Sequence, residues 1–300
     1  MILSIGEILY DIFPTYRRMG GAPFNFAFHL RALGFPVILI SRVGTDENGR
    51  RILSFLEEKG FDTSFIQKDS QKQTGQVLVE TDEQGSPHFH ILRDAAYDEM
   101  EFRDEIAAQL HKIPKLIYCG TLIQRTPKGA ETLMKILENR DPDTFCFYDM
   151  NLRPECYDHN SIIKSLIHCD VLKVSDAELS LLKSLFGADT SDRLFIEDLM
   201  HNYFIRWLCL TRGAEGSSLF TPDGVWSEPA GKEIPVADTV GAGDAYSAML
   251  AMGFLKGWKP EIIVKRATAF AGAVCGIPGA IPEDAGFYEH YSEWTKENSQ

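Results

Sequence analysis

The 300-residue sequence has no cysteines at Cys-x-x-Cys spacing, no basic excess, no apolar run of membrane length and no tract rich in Pro, Gly and Ser. Each absence removes a class of protein. The six cysteines, Cys119, Cys146, Cys156, Cys169, Cys209 and Cys275, are scattered, several inside apolar runs, which argues for reduced, mostly buried thiols and against a disulfide framework or zinc site. With 30 Lys and Arg against 43 Asp and Glu, the formal net charge is -13, so neither nucleic acid nor an anionic membrane is an expected partner. The longest apolar stretch, residues 245–255, is too short to cross a bilayer and runs into Lys256. The opening MILSIGEILYD has no basic region and meets Glu7 early, so it reads as a first strand and not as a signal peptide. A soluble, cytoplasmic protein is expected. With no repeat and no linker, residues 1–300 read as one domain.

What is present is an alternation. ILSIGEIL is followed by APFNFAFHLRALG, then VILISRVG by GRRILSFLEEKG, and later KLIYCG, TFCFYD, DVLKVS and WLCLT each precede helical sequence. Strands alternating with helices predict an α/β fold with a mostly parallel sheet covered by helices. Residues 63–93 break the rhythm with two β-like runs around a turn at 82–85, which predicts a small antiparallel sheet inserted in the domain. Residues 11–19, too long for a tight turn, are expected to join it. Such an insertion serves as a cover over a ligand crevice or as a surface for dimerisation.

Ligands of open parallel sheets bind beyond the carboxyl ends of the strands. The residues following the strands here are Asp11, then Asp149 to Arg153, then Ser175 and Glu178, then Thr211 to Gly213. Each of these also suits a helix cap or turn; their coincidence points to a site. The run DTVGAGDAY, residues 238–246, opens the apolar stretch. Gly241, Ala242 and Gly243 carry little side chain, so their N–H groups can converge on an anion at the start of the following helix. Asp244 then has two readings: a carboxylate that compensates the helix dipole, or a base that accepts a proton from a substrate hydroxyl.

Other phosphate and metal patterns fail in detail. GTDENG, residues 44–49, has Walker A glycine spacing, but Arg50 and Arg51 replace Lys-Ser/Thr, so a turn before a helix is expected. GAGDAY places Tyr246 where a dinucleotide fingerprint needs its third glycine. His88 and His90 have no ligand partner at suitable spacing and read as hairpin residues.

Taken in order, GGAPFNFAFHLRALG and DTVGAGDAY resemble the N-terminal and C-terminal signatures of the ribokinase-like (PfkB) carbohydrate kinases, and the resemblance runs from Ile5 to about Pro282. GEILYDIFP, DMNLRP and KVSDAEL look most like the fructokinase branch. The resemblance implies a ribokinase-like fold, with helices on both sheet faces and a small β-sheet lid, that transfers the γ-phosphoryl group of ATP to a sugar hydroxyl with Mg2+; dependence on K+ stays undecided. It implies Asp244 as catalytic base and Gly241, Ala242 and Gly243 as the anion hole. Asp11, Gly21 and Asn25 would bind the sugar, and Arg153 the transferred phosphate or an acidic sugar. Thr211, Gly213 and Gly216 would line the nucleotide. Glu178 would organise the metal through water, with Ser175 standing where many members have Asn. Lid sheets in such kinases often pair two subunits, so a homodimer through the lid is expected. Fructose is the expected sugar. A 2-keto-3-deoxygluconate or nucleoside kinase of the same fold, and a non-catalytic sugar-binding regulatory protein, are the alternatives.

Overall fold

β-Branched and aromatic runs build the centre of the molecule. The computed structural model describes residues 1–81, 87–231 and 236–296. Its strands are β1 (Ile2–Ile5), β2 (Leu9–Ile12), β3 (Arg17–Gly20), β4 (Val37–Gly44), β5 (Ile66–Asp69), β6 (Gly75–Thr81), β7 (Pro87–Ile91), β8 (Leu116–Gly120), β9 (Phe145–Asp149), β10 (Val171–Ser175), β11 (Trp207–Thr211), β12 (Ser217–Thr221) and β13 (Gly224–Glu228). Its helices are α1 (Ala22–Ala32), α2 (Glu47–Glu58), α3 (Asp104–Leu110), α4 (Pro127–Glu138), α5 (His159–His168), α6 (Asp176–Leu185), α7 (Asp192–Tyr203), α8 (Ala242–Lys256), α9 (Pro260–Cys275) and α10 (Glu289–Lys296).

The large sheet runs β13-β12-β11-β10-β9-β8-β1-β4-β5. It is parallel from β5 to β11, and β12 and β13 add an antiparallel edge. Period-two alternation divides its side chains between two cores: Ile2 of β1 faces α1, α2, α8 and α9, while Leu3 and Ile5 face α3 to α7. This is the expected α/β architecture with helices on both faces. Strand order reverses at β1, between β4 and β8. A crevice opens beyond the carboxyl ends of the strands at such a switch point.

Two helices flank that crevice, and both are apolar on nearly every side. In α1 every residue from Ala22 to Leu30 is buried, and in α8 every residue from Ala245 to Gly253. Helices of that composition belong inside a domain. The two pack against each other, which fixes where their first turns point.

The second sheet has the order β3-β2-β6-β7. Two expectations are corrected here. The insertion does not begin at residue 63, because Ile66–Asp69 pairs in parallel with β4 as the far edge of the large sheet. The short run FIQKD alternates as an edge strand does, and periodicity alone does not say which sheet receives it. Nor is the small sheet wholly antiparallel: β2 pairs with β3 and β6 with β7 in that sense, but β2 and β6 run parallel. Each hairpin is a local event, whereas the direction in which two distant hairpins join leaves no trace in either. The expected turn at residues 82–85 and the side chain of His88 lie outside the described residues, and His90 is exposed on β7.

The base of the small sheet is held by a buried ion pair. Arg125 Nε and Nη2 donate to the two oxygens of Asp98 at 2.7 Å each, with side-chain exposures of 6% and 3%. The Arg125 guanidinium also lies 4.8 Å from the centre of the Tyr97 ring. Removing one partner strands a buried charge, which costs about 3–5 kcal/mol. Arg125→Met is therefore expected to lower the urea midpoint sharply, and an unchanged midpoint would contradict this account of the sheet's anchorage.

Candidate active site

Gly241 is the N-cap of α8 and adopts φ +80°, in the left-handed region. A Cβ there would lie 2.3 Å from Ala280 Cβ, so both the conformation and the space require glycine. No side chain caps this end of the helix. The first turn of α8 therefore offers its dipole and backbone N–H groups to an incoming group, although the N–H of Ala242 turns back to Thr239 O at 3.3 Å.

Asp244 sits in that first turn, where α1 meets it. Asn25 Nδ2 donates to Asp244 Oδ2 at 2.7 Å, so the amide expected to face a sugar is directed at the carboxyl. Asn25 is buried, and its Oδ1 accepts no hydrogen bond. Burial pushes Asp244 up from 3.8 to about 6; Asp149 adds to the rise, while Asn25, Lys173 and Arg153 oppose it. Gly21, the N-cap of α1, has φ +110°, and a Cβ there would meet Glu7 O at 2.5 Å. This close approach packs the start of α1 against the chain leaving β1.

A second carboxyl group enters from the small sheet. Burial pushes Asp11, on β2, up to about 6, opposed by Arg153 and reinforced by Asp244 and Asp238. Arg153 stands beyond β9, exposed and without an ion pair among the described residues, while its field reaches Glu7, Asp11 and Asp244. Asp11, Asn25, Arg153, Asp244 and the glycine loop thus converge from β2, α1, the β9 exit and α8.

The other expected residues line the same sheet edge further along. Ser175 and Glu178 form a reciprocal capping box at the start of α6: Ser175 Oγ accepts from Glu178 N at 3.3 Å, and Glu178 Oε2 accepts from Ser175 N at 2.7 Å. Glu178 Oε1 reaches out of the box to accept from Leu152 N at 2.6 Å, tying the β9 exit to the β10 exit. Thr211 ends β11, with Oγ1 on Val174 O at 3.4 Å, and Gly213 and Gly216 form the turn into β12.

Sequence reasoning missed several members. Glu7 is buried with Oε2 unpaired, and burial pushes it up to about 7, against a hydrogen bond from its own backbone. Asp149 shows in the sequence only as a strand end, and Lys173 only as part of a strand. The signal for Lys173 was a charged residue at a core position of DVLKVS. Arg18, on β3, donates to Asp238 Oδ2 at 3.0 Å, and Gly279 N donates to the same oxygen at 3.1 Å, so the small sheet is fastened to the segment before the glycine loop. No local pattern announces a pair 220 residues apart.

A separate polar cavity lies at the far edge of the large sheet, lined in part by Arg42, Asp69, Lys72, Glu99 and Lys128. Arg42 pairs with Asp69 at 2.7 Å and Lys128 with Glu99 at 3.3 Å within it, and Lys72 pairs with Asp94 outside it. Among the described residues no helix is long and apolar enough to cross a membrane, and no cluster of three His, Cys, Asp or Glu side chains could hold a metal.

The chain is 30% identical over 273 residues to an uncharacterized sugar kinase of Pyrococcus horikoshii, covering 85% of this chain and 83% of the relative. The solved structure of that protein in complex with ATP superimposes with a TM-score of 0.79, covering 93% of this chain and 94% of the other. A fructokinase of Vibrio alginolyticus is 26% identical over 90% of each chain. The structure of a fructokinase of Xylella fastidiosa with bound ATP, 22% identical, shares the fold with a TM-score of 0.83 over 97% of this chain and 98% of the other. The pfkB family carbohydrate kinase model matches residues 7–285, and the chain belongs to that family.

Proposed function

We propose that this carbohydrate kinase transfers the γ-phosphoryl group of ATP to a hydroxyl of D-fructose. The observation that carries the reading is Asp244: a carboxyl aimed by Asn25, set at the open start of a buried helix, beside a loop whose first glycine tolerates no side chain. The sugar hydroxyl is a poor nucleophile and is activated late in a loose phosphoryl transfer, so a positioned carboxylate suffices as base. Gly241 and Gly243 shape the turn that presents amides to the transferred group. Asp11 accepts sugar hydroxyls, Gly21 lets the chain pass close to them, and Asn25 orients the base. Thr211, Gly213 and Gly216 line the nucleotide beyond β11. Arg153, the unpaired guanidinium, meets the transferred phosphate.

Mg2+ would supply charge neutralisation between the phosphates. Three protein donors already occupy the Glu178 carboxylate, from Leu152 N and from Ser175 N and Oγ, so this residue suits an ion held through water and not one bound directly. The small sheet of β2, β3, β6 and β7 acts as the lid of a single domain: it carries Asp11 inward and excludes water on closure.

The names of the fructokinase relatives support fructose, and the short polar groups Asp11 and Asn25 suit a neutral polyol. One observation favours a second reading: an unpaired Arg153 over the crevice also fits a carboxylate, as in 2-keto-3-deoxygluconate. ATP consumption against fructose, ribose, glucose, 2-keto-3-deoxygluconate and adenosine separates them. Fructose is expected to give the highest kcat/KM. If the keto acid leads and Arg153→Ala selectively removes its use, the fructose assignment is wrong and the kinase assignment stands. If no sugar or nucleoside accelerates ATP consumption, the activity reading fails.

A further inference from the structure

Lys173 is a charged side chain in the middle of the large sheet. It lies on β10 between β9 and β11 and is only 7% exposed. Its Nζ donates to both oxygens of Asp149, at 2.9 and 3.1 Å, and Asp149 is wholly buried. Asp149 Oδ2 accepts in addition from Tyr118 Oη at 3.0 Å and from Ser247 Oγ at 2.7 Å. Ser247 Oγ in turn lies 3.0 Å from Gly243 O, in the first turn of α8. A Cβ on Gly243 would sit 3.4 Å from Lys173 Nζ, so the ammonium lies directly under the glycine loop.

Two local rules are broken at this one place. A buried ion pair is commonly no more stable than an apolar pair of the same volume. A cation at a helix N-terminus also faces the positive end of the dipole. Both effects oppose folding of the empty site, and the second reverses when an anion arrives at the start of α8, because ammonium, dipole and amides then attract the same group. Conflicts of this kind are expected at functional sites.

We propose that Lys173 is a positioning cation for phosphoryl transfer: fixed from beneath by Asp149, it holds the Gly243 turn in place and adds positive potential where the transferred phosphoryl group sits, without touching it. The inference rests on the reading of the loop as the γ-phosphoryl site. Burial alone pushes the Lys173 ammonium down, and Asp149, Glu178 and Asp244 together outweigh that and hold it above the ordinary lysine range. It therefore stays charged at any working pH. The groups that face it are Tyr118 from β8, Asp149 from β9, Cys209 from β11, Glu178 from α6 and Asp244 from α8.

Lys173 and Asp149 act on Asp244 in opposite senses, the cation lowering and the carboxylate raising its proton affinity. This separates an electrostatic role from a packing role. Lys173→Met is expected to lower kcat by roughly 100-fold and to move the acid limb of kcat/KM to higher pH, since Asp149 then acts unopposed. In the double variant Lys173→Met with Asp149→Asn, which leaves no buried unpaired charge, folding and the acid limb return while kcat stays down by at least about tenfold. Calorimetric titration gives a second readout: the double variant is expected to weaken ATP by about tenfold and ADP little, because only ATP carries the γ-phosphoryl group. A double variant with kcat within twofold of wild type and an unchanged ATP-to-ADP affinity ratio would overturn the proposal. If Lys173→Met does not fold, the double variant carries the test. If no sugar or nucleoside accelerates ATP consumption by the wild-type protein, the activity reading fails and the affinity ratio alone decides about Lys173.

Discussion

Asp244→Asn is expected to lower kcat by roughly 10²- to 10⁴-fold, the range typical of losing a positioned general base, while ATP and sugar affinities change only a few-fold. The side chains are nearly isosteric, and the retained Oδ1 can still accept the Asn25 Nδ2 hydrogen bond, so the geometry of the first turn should survive. The pH profile adds a second, independent readout. Asp244 is raised from 3.8 to about 6 by burial, so kcat/KM of the wild-type protein should fall as pH drops below about 6, and in the variant only the part of that limb contributed by Asp11 should remain. Stability should move the other way. A carboxyl whose folded pKa lies above its unfolded value binds its proton more tightly when folded; its contribution is present below about pH 4 and is lost as pH rises through about 6. Asp244→Asn should thus raise Tm by a few degrees at pH 8 and leave it nearly unchanged at pH 4. A variant that keeps a large share of kcat would return Asp244 to the role of dipole compensation.

That distinction was open in the sequence for a physical reason. The glycine loop, the apolar helix after it and the strand-helix alternation are local patterns, and they appear in the structure where the periodicity put them: α1, α2, α8 and strands β4, β8, β9, β10 and β11 all form. What sets the chemistry of Asp244 is not local. Asn25 comes from 219 positions away, and Asp149 and Lys173 come from two strands whose adjacency depends on sheet order. VLKV and FCFYD each show one charge in an apolar run, and neither shows that the two charges meet. Glu7 illustrates the same limit: ILSIGEIL reads as one strand, whereas the chain leaves the large sheet at Ile5, buries Glu7 at the crossing and enters the small sheet at Leu9. A period-two run carries no mark of where a strand changes sheets.

Gly241→Ala is expected to lower kcat by about 10²- to 10³-fold, as for loss of an oxyanion-type donor. Two costs act together. An L-residue at φ +80° is strained, and the new Cβ would lie 2.3 Å from Ala280 Cβ and 2.5 Å from its Cα. Ala280 has little room to retreat. Its carbonyl accepts from His29 Nε2 at 3.1 Å, and because a carbonyl only accepts, the His29 proton is on Nε2 and Nδ1 receives the Tyr288 hydroxyl at 2.8 Å. Burial pushes His29 down to about 3, so this neutral clamp persists across the working pH range. The clash must then be relieved by moving the start of α8, which misplaces the amides and Asp244 together. Gly243→Ala provides the control. Gly243 is exposed, has no positive φ, and its Cβ would meet only Lys173 Nζ at an ordinary 3.4 Å, while alanine gains up to about 1 kcal/mol of helix propensity over glycine. Gly243→Ala should therefore keep or raise Tm, and Gly241→Ala should lower it, with the larger loss of kcat falling on Gly241. Equal Tm and equal kcat in the two variants would mean that the left-handed turn at Gly241 does not shape the site.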